Sequence, residues 1–222
     1  NDNRAVVIDT GFNAAESAKR GRTHLRCPAE SLSLLGVDPA SVEDVIVTHM
    51  HYDHAGNLDK FPKATFHLQD AEMAYATGRY MRHPALRGSF EVEHVTDMVR
   101  KVFGDKVKFH NGDADLFPGI KLHFIGGHTM GMQSVTVETK RGRVVVASDA
   151  LHLYLNMIDR NPFQTVFNIG DMMDGHIKLM DLAGGDENMI VPGHDPQVFD
   201  LYPAPSDELK GIVVRLDVPP CA

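Results

Sequence analysis

The chain has only two cysteines, Cys27 and Cys221, among 222 residues. That is too few for a disulfide framework. It has no run of Lys and Arg; 22 basic side chains face 30 acidic ones, for a formal charge of −8. Nucleic-acid binding needs a basic face, and none is evident, so no nucleic-acid partner is expected. No apolar stretch has the length of a membrane span, so no membrane partner is expected either. Internal repeats, low-complexity tracts and linkers are also missing. What remains is ordinary globular material, 43% hydrophobic and 23% charged, enough to bury a core in one domain. One residue type stands out: there are 13 histidines.

The chain starts at Asn1 and runs almost at once into Arg4-Ala5-Val6-Val7-Ile8-Asp9-Thr10-Gly11, a β-rich run ended by a glycine turn. It therefore reads as starting inside a domain, with a natural N-terminal segment expected upstream. Helices are expected over 28–35, 70–77, 91–103 and 171–183, the third from Val92, Val95, Met98, Val99 and Val102 at helical spacing. A further helix is expected to open at Asp53-His54, and 79–90 reads as a loop or cap around Pro84 and Gly88. Strands are expected over 43–48, 64–67, 107–110, 121–125, 133–138, 143–148 and 189–191. Strands interleaved with helices indicate an α/β layered domain. The later, antiparallel-looking series favours mixed sheets over an all-parallel one.

The main signal is Thr48-His49-Met50-His51-Tyr52-Asp53-His54-Ala55-Gly56-Asn57, with three imidazoles and a carboxylate in six positions. In extended chain, residues i and i+2 point the same way, so His49 and His51 can reach one metal ion together. Asp53 and His54 would face another side, which suits two adjacent ions better than one. Imidazole and carboxylate without thiolate suit zinc, with iron, manganese or cobalt as alternatives. Three later positions offer the same chemistry beside Gly or a small residue after a β-rich run: His128 in Gly126-Gly127-His128-Thr129, Asp149 after Val144-Val145-Val146-Ala147-Ser148, and His194 in Val191-Pro192-Gly193-His194. The remaining histidines, His24, His67, His83, His94, His110, His123 and His176, read as structural. Asp9 is expected to support the 49–54 loop by hydrogen bonds, since partners outside the ligand set fix ligand orientation.

This pattern, His-x-His-x-Asp-His followed by a distant His, an Asp and a last His, resembles the metallo-β-lactamase superfamily. The resemblance runs from Ile8-Asp9-Thr10-Gly11 to Gly193-His194. It implies an αβ/βα sandwich of mixed sheets flanked by helices, read here as one hydrolase domain over residues 1–222. It also implies a dinuclear centre: His49, His51 and His128 on one ion, Asp53, His54 and His194 on the other, and Asp149 bridging. The flavodiiron branch usually has Glu where this chain has His51, and some zinc β-lactamases have Cys near the bridging position, where this chain has Asp149. The N-acyl homoserine lactonase group is the most similar branch, through Asp-Thr-Gly, His-x-His-x-Asp-His-Ala-Gly, Gly-His-Thr-x-Gly, Ser-Asp-Ala and Gly-His-Asp.

A hydroxide bridging two such ions is a nucleophile near neutral pH, so hydrolysis is the natural chemistry. The resemblance implies opening of N-acyl homoserine lactones or similar lactones, with hydrolysis of another ester, a thioester or a phosphotriester as the alternative. Asp53 joins the catalytic set. Typical lactonases have Tyr three residues after the bridging Asp; here that position is His152, and either His152 or Tyr154 is expected to donate to the substrate carbonyl. Met50, Met130, Met132, Met157, Phe163, Phe167, Met172 and Met173 lie near the ligand segments, and a partly apolar pocket is expected from them. The partner is a small molecule, and a homodimer is an open option. No compartment is legible; the cytoplasm is the default expectation.

Overall fold

The computed structural model describes residues 4–221. They form two compact units that divide between Asn111 and Gly112. In the first, the order is β1 (Val6–Ile8), α1 (Ala14–Lys19), α2 (Pro28–Ser31), β2 (Asp44–Ile46), β3 (Thr65–Gln69), α3 (Asp70–Ala76), α4 (Pro84–Arg87), α5 (Val92–Phe103) and β4 (Val107–His110). Its four strands form one sheet in the order β1-β2-β3-β4, every neighbour parallel. Parallel strands need crossovers; helices supply them between β1 and β2 and between β3 and β4, and the long loop with its 3₁₀ turn at Leu58–Lys60 does so between β2 and β3. All three residues of β2 are buried, as a central strand of such a sheet requires.

The second unit holds β5 (Ala114–Phe117), β6 (Ile120–Phe124), β7 (Gln133–Thr139), β8 (Gly142–Ser148), α6 (Tyr154–Ile158), α7 (Ile169–Leu182), β9 (Ile190–Pro192) and α8 (Gln197–Leu201). Its sheet runs β5-β6-β7-β8-β9, antiparallel up to β8 and parallel between β8 and β9. The run Val144 to Ala147 alternates between two clusters. Val145 and Ala147 pack with Met132, Leu151, Leu179 and Ile190, whereas Val144 and Val146 pack with Val191, Tyr202 and Leu216. This is the period-two alternation of a strand covered on both faces. No helix among the described residues is long and apolar enough to cross a membrane.

Several expectations change. The helix expected to open at Asp53-His54 does not form; the chain makes a single turn, with the Ala55 amide on the His51 carbonyl at 3.1 Å, and a 3₁₀ turn follows at Leu58–Lys60. The backbone of this segment is claimed from outside: the Thr10 amide donates to the His54 carbonyl at 2.7 Å and the Gly56 amide to the Gly11 carbonyl at 2.8 Å. A side chain at Gly56 would sit 2.6 Å from the Gly11 oxygen and 2.7 Å from Phe12 Cα, so only glycine allows this approach. The helix over 28–35 becomes tighter 3₁₀ geometry from Leu32 to Leu35, ended by Gly36 at φ +74. Within 79–90 lie a 3₁₀ turn at Arg79–Arg82 and α4, opened by Pro84 at its first position, where proline's missing N–H costs nothing.

Candidate metal centre

Every candidate ligand segment follows the C-terminal end of a strand. In the first unit, β1 leads into Asp9 and β2 into the 48–57 loop. In the loop, the His49 ring lies 4.5 Å from that of His51 and 4.0 Å from that of His54, centroid to centroid. His54 Nε2 is 3.9 Å from Asp53 Oδ1. The four residues expected from the spacing are thus gathered on one loop.

Asp9 organises that loop. One carboxylate oxygen accepts the Thr48 amide at 2.7 Å. The other accepts the Thr48 hydroxyl at 2.7 Å and pairs with His54 Nδ1 at 2.8 Å. The support assigned to Asp9 from its position in the sequence is therefore present. Thr48 Oγ1 also lies 3.1 Å from His49 Nδ1. A hydroxyl has one proton, and here it goes to Asp9, so Thr48 Oγ1 accepts from His49 Nδ1–H. His54 Nδ1 likewise donates, because an ionised carboxylate only accepts. Both imidazoles then carry their lone pair on Nε2, the arrangement of a metal-ligating histidine braced from behind.

Longer-range contacts hold the loop's other side. The buried Glu72 of α3 accepts the Met50 amide at 2.8 Å. His51 forms an antiparallel bridge with Phe90, whose ring meets the imidazole edge-on at 4.7 Å, and the Tyr52 amide donates to the Ser89 carbonyl at 2.8 Å. Arg20 ties the 88–91 segment down: it donates to the Gly88 carbonyl at 2.9 Å, pairs with Glu91, and stacks over the Tyr52 ring at 3.9 Å. Glu72 and Arg20 left no trace in the sequence pattern, since each acts on a residue far along the chain.

In the second unit, three imidazole nitrogens converge on one carboxylate. The Nε2 atoms of His128, His152 and His194 lie 3.2, 2.9 and 3.0 Å from oxygens of Asp149. Asp149, His128 and His152 are buried, and their ligating atoms lie within 4.8 Å of one another. Asp149 follows Ser148, which adopts φ +49, a region non-glycine residues rarely visit. It also sits against Gly193, where a Cβ would come 2.8 Å from the Ser148 carbonyl carbon and 3.0 Å from Asp149 Oδ1.

These residues fit a divalent cation. His128 Nδ1 is 2.7 Å from the Thr165 carbonyl oxygen and must donate to it. In neutral His128 the Nε2 lone pair then faces a carboxylate oxygen, acceptor against acceptor. Such apposition in a buried place requires positive charge, and a metal ion supplies it with the right donors, imidazole nitrogen and carboxylate oxygen.

His152 stacks on Phe163, ring centroids 4.1 Å apart, with its Nε2 on Asp149. Tyr154 lies elsewhere. Its amide donates to Asp195 at 2.9 Å, and its side chain lines a cavity with Tyr202, Asn188 and Cys221. There burial and the neighbouring Tyr202 push its hydroxyl pKa upward. Of the apolar residues expected near the ligands, Met50, Met132 and Met172 are fully buried core. Met157 and Met173 line a cavity.

The metallo-beta-lactamase superfamily model matches residues 1–194. An N-acyl homoserine lactonase, AttM, of Azorhizobium caulinodans is 29% identical over 89% of this chain and 80% of its own length. An N-acyl homoserine lactonase of Bacillus cereus is 27% identical over 74% of this chain, which spans 60% of that protein. A solved N-acyl homoserine lactone hydrolase with the product N-hexanoyl-L-homoserine at its catalytic metal centre superimposes with a TM-score of 0.74 at 22% identity, covering 90% of this chain and 80% of that one. At that identity the match establishes a common fold.

Proposed function

The chain belongs to the metallo-beta-lactamase superfamily, and from that premise we propose that it opens the ring of N-acyl homoserine lactones or similar lactones on a dinuclear metal centre. It is a metal-dependent hydrolase. In our reading His49, His51 and His128 hold one ion, Asp53, His54 and His194 hold the second, and Asp149 serves both. One hydrolase domain then spans both compact units, and the family match crosses their boundary. Zinc suits this donor set first.

The observation that carries the reading is the tautomer pattern. Backbone or side-chain acceptors hold Nδ1 of His49, His54 and His128, which leaves Nε2 of each as a ligand. Two bound divalent ions would supply Lewis acidity and lower the pKa of water to about 7. The chain's own residues do the rest. Negative charge develops on the lactone carbonyl oxygen, and His152 is the side chain we assign to donate to it, since preorganised donors stabilise such charge strongly. The acyl carbon–ring oxygen bond breaks and the leaving oxygen needs a proton. We assign Asp53, whose side chain is 21% exposed, to take up the proton released as water attacks the carbonyl carbon and to pass it to that oxygen. The products are a carboxylate and an alcohol, with one proton released.

The test is metal analysis followed by a hydrolysis panel read by proton release: acyl homoserine lactones, simple lactones, p-nitrophenyl esters, thioesters and paraoxon. We expect two ions per chain and lactones as the preferred substrates. One ion in a fully loaded preparation would break the dinuclear assignment. A preference for paraoxon, a thioester or an aryl ester would replace the lactone.

A further inference from the structure

Tyr52, between the proposed ligands His51 and Asp53, meets two arginines in different situations. Arg20 stacks over its ring at 3.9 Å and is paired with Glu16 and Glu91. Arg22 stands at the hydroxyl: burial and the Asp53 carboxylate push the Tyr52 pKa upward, and Arg22 and Arg20 oppose them. Arg22 is exposed, and among the described residues no carboxylate pairs with it. The chain carries 30 acidic side chains against 22 basic ones, so acids are in excess. An arginine left without one, a single side chain away from a proposed ligand, is open to an anion from outside.

The backbone under Arg22 is held in place. Helix α1 ends, and Gly21 turns the chain at φ +62. The buried Ser17 then takes both backbone groups of Arg22: its carbonyl accepts the Arg22 amide at 2.8 Å, and its hydroxyl donates to the Arg22 carbonyl at 2.6 Å. Further along the loop, the His24 ring packs 5.9 Å from that of Phe12, which lies 5.7 Å from that of Tyr52. The side chain of Arg22 therefore leaves a loop tied down on both sides, within the same compact unit as the 49–54 ligand loop. A guanidinium has five donors in a planar fork that matches a carboxylate, and a tyrosine hydroxyl occupies only part of that fork.

We propose that Arg22 is a specificity residue that binds a carboxylate carried by the substrate away from the bond that is cleaved, so that acidic lactones are favoured over neutral ones. The inference rests on the lactonase reading for the reaction, but carboxylate binding can be measured without any hydrolysis. Exposure limits its strength. An exposed ion pair gives up to about fivefold and a charge-assisted hydrogen bond about 13-fold or more, so a preference of about tenfold is expected.

The substrates are N-succinyl homoserine lactone and its terminal carboxamide, which differ in one charge. The metal-loaded wild type should prefer the acid about tenfold in kcat/KM, through KM, and the preference should shrink as NaCl rises from about 0.05 to about 0.5 M. Arg22→Gln should remove the preference and Arg22→Lys should keep part of it. Arg26→Gln, which deletes another exposed charge on the same loop, should leave it intact. Succinamate and succinamide, titrated calorimetrically into the loaded protein, give the same comparison without turnover. Succinamate that binds equally well to wild type and to Arg22→Gln is held by the metal ions alone and overturns the proposal, as does equal turnover of the two lactones by the wild type. If neither lactone is hydrolysed while Arg22→Gln loses succinamate affinity about tenfold and Arg26→Gln does not, the carboxylate site stands and the lactonase reading falls.

Discussion

Asp9 and His54 are 45 positions apart, yet Asp9 Oδ2 lies 2.8 Å from His54 Nδ1. The same oxygen takes the Thr48 hydroxyl, and Thr48 in turn accepts from His49. One carboxylate therefore sets the tautomer of two proposed ligands. It does so from a backbone angle of φ +58, which costs an L-residue roughly 1–2 kcal/mol.

Asp9→Ala removes three hydrogen bonds from the loop and leaves both imidazoles able to turn. Loss of such an outer partner typically weakens metal binding 10–100-fold. We expect a shift of about that size in zinc competition against a chelator, with the fold retained by circular dichroism. Unchanged zinc affinity would mean that the loop orients its histidines without Asp9.

Gly193→Ala tests the approach behind Asp149. The added carbon meets backbone atoms of Ser148 at 2.8 and 2.9 Å, and backbone cannot swing aside as a side chain can. The chain must shift, at about 1–3 kcal/mol by the usual cost of overpacking, and Asp149 shifts with it. Urea denaturation should show the loss, and metal content should fall. Wild-type stability together with two bound ions would refute the close approach.

The loops that carry the proposed ligands were legible because they hold the chemistry themselves: imidazoles and carboxylates at tight spacing after strong β-rich runs. Asp9 was legible for a related reason, as an acid ending a strand with no ligand role to fill. The missing helix after Asp53 was not legible, because Gly56 binds the Gly11 carbonyl and not a helical partner, and nothing local encodes that. Glu72 and Arg20 escaped for the same reason; Arg20 meets Glu91 at a separation of 71 residues. Met157 on α6 and Met173 on α7 could not be told from core Met172 by composition, since the distinction depends on which face of each helix packs inward.

A buried chain of three side chains predicts acid sensitivity away from the proposed ligands. His67 Nε2 lies 3.0 Å from Asp44 Oδ1, and its Nδ1 lies 3.1 Å from His110 Nε2. Burial, then the neighbouring His67 and Lys108, lower the His110 pKa to about 4, with Asp70 opposing. Burial lowers that of His67 against the opposing pull of Asp44, which also pairs with Arg4 at 3.4 Å. In the unfolded chain both rings titrate near 6.5. As pH falls below that value the unfolded state takes up protons that the folded state refuses, so stability decreases. The decline should run from about pH 6.5 toward pH 4 and flatten below it. His110→Gln should reduce this slope in denaturant titrations of metal-free protein across that range. An unchanged slope would show that His110 is already protonated in the fold.

His152 and Tyr154 are rival donors for the lactone carbonyl, and their surroundings separate them. The His152 ring is fixed twice, by Phe163 stacked at an interplanar angle of 15° and by Asp149 at 2.9 Å. The Nε2–H that faces Asp149 points at the carboxylate assigned to both ions, so the ring would turn that same donor to a carbonyl oxygen held at the centre. The Tyr154 side chain is engaged with Tyr202, which Arg141 and Asn188 hold in turn at 3.1 and 3.3 Å. Reaching a substrate would require it to abandon a buried polar partner. We therefore expect His152→Ala to lower kcat on lactones by roughly 10²–10³, the usual cost of one such donor, while two ions stay bound. Tyr154→Phe should change kcat little and should instead lower stability, since Tyr202 loses a partner. Parallel kinetics, metal analysis and thermal melts of the two variants decide the matter. A large kcat loss in Tyr154→Phe with none in His152→Ala would transfer the donor role to the tyrosine.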